Sequence, residues 1–193
     1  MLRLPDDPTP FRIIGIDPGT DTLGVSALDV DLHTAGVSVI DSRTLLGSQL
    51  IRGNQRVADL YGSRFARLQA LEQSLGYYFH DFRPHAIISE SPYFNKNRPQ
   101  AYGALVEAMG MLQRAVYTYC SSICLETVDP ASNKANLGVS GKSGDKDLMK
   151  AAVLRLHQLG NPNEIDLALL DEHSIDSLTV GWYKACQITS LLP

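Results

Sequence analysis

Arg12-Ile13-Ile14-Gly15-Ile16-Asp17-Pro18-Gly19-Thr20 is the stretch that decides the fold. An apolar run ends in an acid and passes straight into a Pro-Gly turn. Leu23-Gly24-Val25-Ser26-Ala27-Leu28-Asp29 then resumes alternation, so the two segments read as a β-hairpin. This geometry sets the Asp17 carboxylate at the end of a buried strand, beside a turn too small to cover it. An acid held there suits a divalent cation, which prefers hard oxygen ligands. It also suits the plainer task of capping the Pro-Gly bend. The placement of the other acids favours the cation.

Working outward, residues 35–41 read as a third strand of a meander. Val57, Leu60, Tyr61, Phe65, Leu68, Leu71, Leu75 and Phe79 recur at helical spacing and predict one long amphipathic helix. Pro84 closes that element, and His85-Ala86-Ile87-Ile88-Ser89-Glu90 is a short buried strand that again finishes on an acid. A second long helix follows Pro99, with Ala101, Ala104, Leu105, Ala108, Leu112, Ala115, Val116 and Tyr119 on one side. Residues 122–128 read as a fifth strand, 129–144 as a polar loop, and 147–159 and 172–185 as helices. Meandering strands followed by helix–strand alternation predict an α/β fold, a five-stranded mixed sheet flanked by helices.

The chain has 193 residues, 44% of them hydrophobic, enough for one core. We expect a loose tail over residues 1–10 and a single domain over 11–193. The formal charge of −4 argues against a general nucleic-acid coat, yet cations cluster locally: Arg52, Arg56, Arg64 and Arg67 stand against Asp59 alone within residues 52–67. The segment 45–56 is longer and more polar than a minimal connection. Three cysteines form no CxxC pair and no even framework, which points to a reducing, cytoplasmic setting. Cys120 and Cys124 read as small core fillers. No segment has the length of a membrane span, and the Pro- and Asp-bearing start does not read as a signal peptide.

Asp17 ends the first strand and Glu90 the fourth. In Leu170-Asp171-Glu172-His173-Ser174-Ile175-Asp176, His173 and Asp176 stand three apart at the start of the last helix and are therefore neighbours on its surface. Three elements distant in sequence thus each offer ligands at an element's end. Taken singly, Glu90 could be a strand-end acid, Asp171 or Glu172 a helix cap, and His173 a surface histidine. Together they predict a metal site built from Asp17, Glu90, His173 and Asp176. Whether His173, Asp171 or Glu172 completes it stays open.

Gly15-Ile16-Asp17-Pro18-Gly19-Thr20 with Gly24-Val25, Ile87-Ile88-Ser89-Glu90, Asp129-Pro130-Ala131 leading to Lys146, and His173-Ser174-Ile175-Asp176-Ser177-Leu178 follow one another as they do in RuvC-like Holliday junction resolvases. The resemblance spans about residues 12–186. It implies a ribonuclease H-like fold, a homodimer, and Mg²⁺-dependent paired nicking of four-way DNA junctions, with Mn²⁺ as a substitute and two ions per site. It gives metal-binding catalytic roles to Asp17, Glu90, His173 and Asp176, and makes Lys146 the lysine beside the scissile phosphate. It also places an aromatic wedge just beyond Glu90, where Tyr93 and Phe94 stand; each could equally cover the core. Lys96, Arg98, Lys134 and Lys142 are the cations expected to meet DNA. The helix from 100 to 119 has an apolar surface wide enough for a dimer seam. A histidine stands where many members have aspartate. A helicase partner is compatible with the reading and not legible in the residues.

Two other classes fit parts of the pattern. One is a ribonuclease H-like nuclease acting on RNA or on branched replication DNA. The other is an actin-like or sugar-kinase-like ATP-binding module, whose first hairpin also carries an Asp-x-Gly-Thr turn; that reading expects a second domain.

Overall fold

In the computed structural model, the described residues are 9–53, 55–94, 96, 99–139 and 146–192. The tail expected over residues 1–10 thus lies outside them except for Thr9 and Pro10. Six strands build one sheet: β1 (Phe11–Asp17), β2 (Thr22–Val30), β3 (Val37–Leu46), β4 (Ala86–Glu90), β5 (Leu125–Val128) and β6 (Leu159–Gly160). Their order is β5-β4-β1-β2-β3-β6. β1 pairs antiparallel with β2 and parallel with β4; β2–β3 is antiparallel, and β4–β5 and β3–β6 are parallel. The α/β mixed sheet is as expected, with six strands where five were read. The extra strand has only two residues, too short to show any periodicity.

Alternation along β1 sorts the two faces. Ile14 and Ile16 join Leu71, Leu75, Phe79 and Leu112 in one core. Ile13 joins Leu28, Ile88, Val180 and Trp182 on the opposite face. The first face is covered by α3 (Ser63–Phe82) and α4 (Pro99–Tyr119), the second by α7 (Glu172–Thr189). The remaining helices are α1 (Gly47–Leu50), α2 (Gln55–Tyr61), α5 (Pro130–Asn136) and α6 (Lys146–Leu154).

Four local readings change. The single helix expected from Val57 to Phe79 is α2 and α3, broken at Gly62, whose φ of 86° is open to glycine and strained for other residues. The third strand runs to Leu46, well past Asp41. A bulge opposite Ala27/Leu28 shifts its phase, so Val39 and then Ser42 and Thr44 face α7. Its second half buries hydroxyls, which read as loop. Within the polar loop lies α5, capped by Asp129, whose side chain accepts from Ser132 N at 2.9 Å, with Pro130 in the first turn. Cys124 is exposed and Cys120 only half-buried, so neither fills the core; both are free thiols.

Candidate active site

β1 and β4 run parallel, so Asp17 and Glu90 reach the same end of the sheet. The alternation that buries Ile14 and Ile16 under α3 and α4 turns Gly15 and Asp17 toward α7. The helix can approach because glycines lie beneath it. A Cβ on Gly15 would fall 2.2 Å from Ser177 O, and one on Gly24 would fall 1.9 Å from His173 O. α7 contributes a glycine of its own: a Cβ on Gly181 would meet Leu28 at 2.4 Å. The glycines of the first hairpin therefore set how closely the first turns of α7 lie over Asp17.

Those turns are also fixed by hydroxyls. Ser26 Oγ lies 2.6 Å from Ser177 Oγ and 2.8 Å from Ser42 Oγ, and Ser42 and Ser177 both donate to Ser174 O, at 3.0 and 2.9 Å. Asp171 caps the helix, accepting from Ser174 N at 2.9 Å and from the Thr44 hydroxyl at 2.5 Å. Burial pushes its carboxyl up, but these hydrogen bonds outweigh that and hold it below the usual range. Asp171 is thus committed as a cap. Periodicity cannot reveal this seryl network, because small hydroxyl residues leave no signature at either the strand or the helix period.

His173 Nδ1 stands 2.6 Å from Asp17 Oδ2. Burial raises the Asp17 carboxyl, an effect the His173 hydrogen bond opposes, and the same bond raises the imidazole above its ordinary value. Glu90 is pushed up to about 7 by burial, then by the charges of Asp17 and Asp176. Asp176 is also pushed up to about 7, by burial, then by Asp17 and Glu172. The four acids and bases named from the sequence thus form one electrostatically coupled group.

Two residues of α5 enter this group. Lys134 lowers the proton affinity of both Glu90 and Asp176, so its charge acts on the acids as well as on any incoming phosphate. Asn133 was not anticipated. It is buried, donates through Nδ2 to Thr179 Oγ1 at 3.0 Å, and its amide lowers the proton affinity of Glu90; its Oδ1 has no partner among the described residues. The Asp129-Pro130 cap signal was present in the sequence and would have placed both residues on a helix beside the strand end.

The expected DNA contacts divide. Tyr93 and Phe94 are 55% and 61% exposed, which removes the core reading for both; Phe94 meets Tyr102 edge-on at 5.8 Å. Lys96 is exposed. Arg98, Lys142 and the side chain of Lys146 lie outside the described residues, and Lys146 is the first residue of α6.

Among the described residues, no three His, Cys, Asp or Glu side chains already surround one point closely enough to hold an ion. The chemistry of the donor set nevertheless fits a divalent cation. Three carboxylates are crowded until two of them hold their protons to about pH 7, and a cation relieves that repulsion.

No family model and no curated protein matches the sequence. Solved structures do. Thermus thermophilus RuvC in complex with a Holliday junction substrate aligns with a TM-score of 0.65 at 18% identity, covering 90% of this chain and 92% of that one. A second Thermus thermophilus RuvC structure gives 0.65 at 20% identity, covering 92% and 97%. The fold is that of RuvC. The yeast mitochondrial Holliday junction resolvase Ydc2 has the RuvC-like arrangement too, with a TM-score of 0.62 at 16% identity, covering 96% of this chain and 82% of that one. No described helix is long and apolar enough to cross a membrane.

Proposed function

We propose that this chain is a divalent-metal-dependent endonuclease that resolves four-way DNA junctions by paired nicks. The observation that carries the reading is the convergence of Asp17, Glu90 and Asp176 at one end of the sheet. There, burial and mutual repulsion raise Glu90 and Asp176 to about 7. The RuvC-like fold, shared with a structure bound to a Holliday junction, supports the choice of substrate. Asp17, Glu90 and Asp176 would hold the metal, with His173 against Asp17. Bound there, Mg²⁺ or Mn²⁺ would supply an activated water and neutralise the leaving oxygen.

The chain's own residues do the rest. Asp17 and Glu90 are fixed on adjacent strands, so their spacing is set by the sheet. His173 steers the Asp17 carboxylate and holds a proton at Nδ1. Asn133 orients Glu90. Lys134 adds positive charge beside the acids, where phosphate negative charge would arrive. Tyr93 and Phe94 present rings beyond Glu90 that can stack on an unpaired base at the crossover.

The deciding experiment is cleavage of a fixed four-way junction in Mg²⁺, Mn²⁺, Ca²⁺ or EDTA, beside flap, linear duplex and RNA–DNA hybrid substrates. Symmetric nicks in Mg²⁺ and Mn²⁺, with none in EDTA, are expected. Faster cutting of the hybrid or flap would replace the junction reading with the broader nuclease one. An ATP-binding module would cut none of them, and the single sheet of the described residues offers it no second domain.

His173→Ala should lose most of the activity, whereas His173→Asp should keep part of it by restoring a hard oxygen. Glu172→Gln should have little effect. Because Asp17 raises the His173 pKa, wild-type cleavage should fall on acidification from a midpoint above 6.5 if the neutral imidazole is the active form. The Asp variant should flatten that limb of the pH–rate profile.

Two symmetric nicks call for an isologous dimer. Leu112, one of the apolar residues of this helix, is fully buried in the core, so it cannot serve the seam, and a charge there tests folding and says nothing of assembly. The outward residues of α4 include Tyr102, Val106 and Tyr117. Val106→Glu is expected to shift sedimentation from dimer to monomer with an unchanged melting temperature. A wild-type monomer, both free and on junction DNA, would remove the dimer.

A further inference from the structure

α2 is a helix that contributes nothing to the core: none of its residues is buried. The short 3₁₀ turn before it, Ile51–Gly53, buries nothing either. Packing therefore does not account for the residues in this segment. The helices on either side of it are nevertheless held beside the active end of the sheet. Gly47 N donates to Asp21 O at 2.6 Å and Ser48 N to Asp21 Oδ1 at 2.8 Å, four residues beyond Asp17. Farther along, Arg67 reaches Asp21 at 3.7 Å.

The cations of this stretch fall into two kinds. Arg64 and Arg67 are committed within the protein, to Glu107 at 3.0 Å and to Asp21. Arg52 and Arg56 are exposed and make no ion pair among the described residues. Tyr61, 66% exposed, stacks on Phe65 with ring centroids 5.3 Å apart, which adds a phenol to the same segment. In a chain of net charge −4, one unpaired arginine in the 3₁₀ turn and another on a coreless helix complement a polyanion. The strands end at this side, so a duplex lying here would continue toward Asp17.

We propose that Arg52, Arg56 and Tyr61 form a phosphate-binding surface for a duplex DNA arm, with the two arginines as its main contacts. The choice of DNA rests on the nuclease reading above. The contacts go to the backbone, so the surface fixes where an arm lies and does not read its sequence.

The test is the full-length double variant Arg52→Gln/Arg56→Gln, compared with wild type for binding to a four-way junction and to a linear duplex in EDTA, across a salt series. Each lost phosphate contact should lower the slope of log K against log salt by about 0.9, so the double variant should lose about 1.8. Junction Kd at moderate salt should rise about tenfold or more. Melting temperature and metal-dependent turnover at saturating DNA should not change. Equal Kd and equal slope would overturn the proposal. So would a Leu60→Ser variant that changes the sedimentation state while the arginine variant binds DNA normally, since the face would then be a self-interface. Should the double variant show the slope loss on linear duplex while wild type neither prefers nor cuts junctions, the junction reading falls and the surface assignment stands. Should wild type bind no DNA at all, both fall.

Discussion

Glu90→Gln and Asp176→Asn are each expected to abolish Mg²⁺-dependent cleavage and at the same time to make the metal-free protein more stable above pH 7. The two effects have one cause. Both carboxyls are raised to about 7 in the folded protein by burial and by neighbouring acids, while the unfolded chain titrates near 4. Between those limits the native state holds protons that the unfolded state has released, so stability falls as pH rises through the window. A neutral amide of the same shape escapes that loss. The expected gain is about 2 kcal/mol at pH 8, less than the shifts would give if independent, because the acids titrate as a group. Activity should drop by about 10³-fold or more, since several kcal/mol of charge stabilisation leave with the ligand. Melting in EDTA from pH 5 to 8.5 reads the first effect, and junction cleavage the second. Mg²⁺ should raise the wild-type melting temperature and leave the variants nearly unmoved. A variant less stable than wild type at pH 8 would show that its carboxylate is not strained, and the cation argument would lose its basis.

Gly24→Ala is the second large effect. Its Cβ would fall 1.9 Å from His173 O, a backbone atom that cannot step aside without moving the start of α7. The helix must lift, carrying His173 off Asp17 and breaking the hydroxyl contacts to Ser174 O. The expected cost is about 2–4 kcal/mol. A misplacement of about 1 Å at the acids would cost roughly 10²-fold in cleavage. Gly76→Ala serves as the control, because its Cβ would meet nothing within 4 Å. If Gly24→Ala melts and cuts like wild type, the closeness of α7 to the hairpin is not what sets the site.

The site was largely legible because its acids stand where apolar runs stop. Ile13 to Ile16 before Asp17, and Ala86 to Ile88 before Glu90, carry the strand signal and the position of the acid together. His173 and Asp176 were legible as a helical pair three residues apart. What periodicity could not supply was orientation. The Ala- and Leu-rich face of α4 looks the same whether it meets the sheet or a partner, and Leu112 proved to belong to the sheet side. The bulge in β3 defeated the strand period, and Ser42, buried, and Thr44, half-buried, face α7 through their hydroxyls. Asn133 was hidden in a stretch whose composition says loop, although its cap says helix; Lys134 was named there for DNA, and its closeness to the acids was not legible.

The hydrogen bond between Asp17 and His173 joins residues 156 positions apart. A ribosome makes Asp17 long before Asp176 and the helix that bears it. During that interval the growing chain holds Asp17 and then Glu90 without the third acid. On the proposed reading it has no means of cutting until α7 seats on the glycines of the opening hairpin. On that reading activity waits for α7: a nascent chain that has not yet made residues 172–189 would carry Asp17 and Glu90 alone and could not cut DNA.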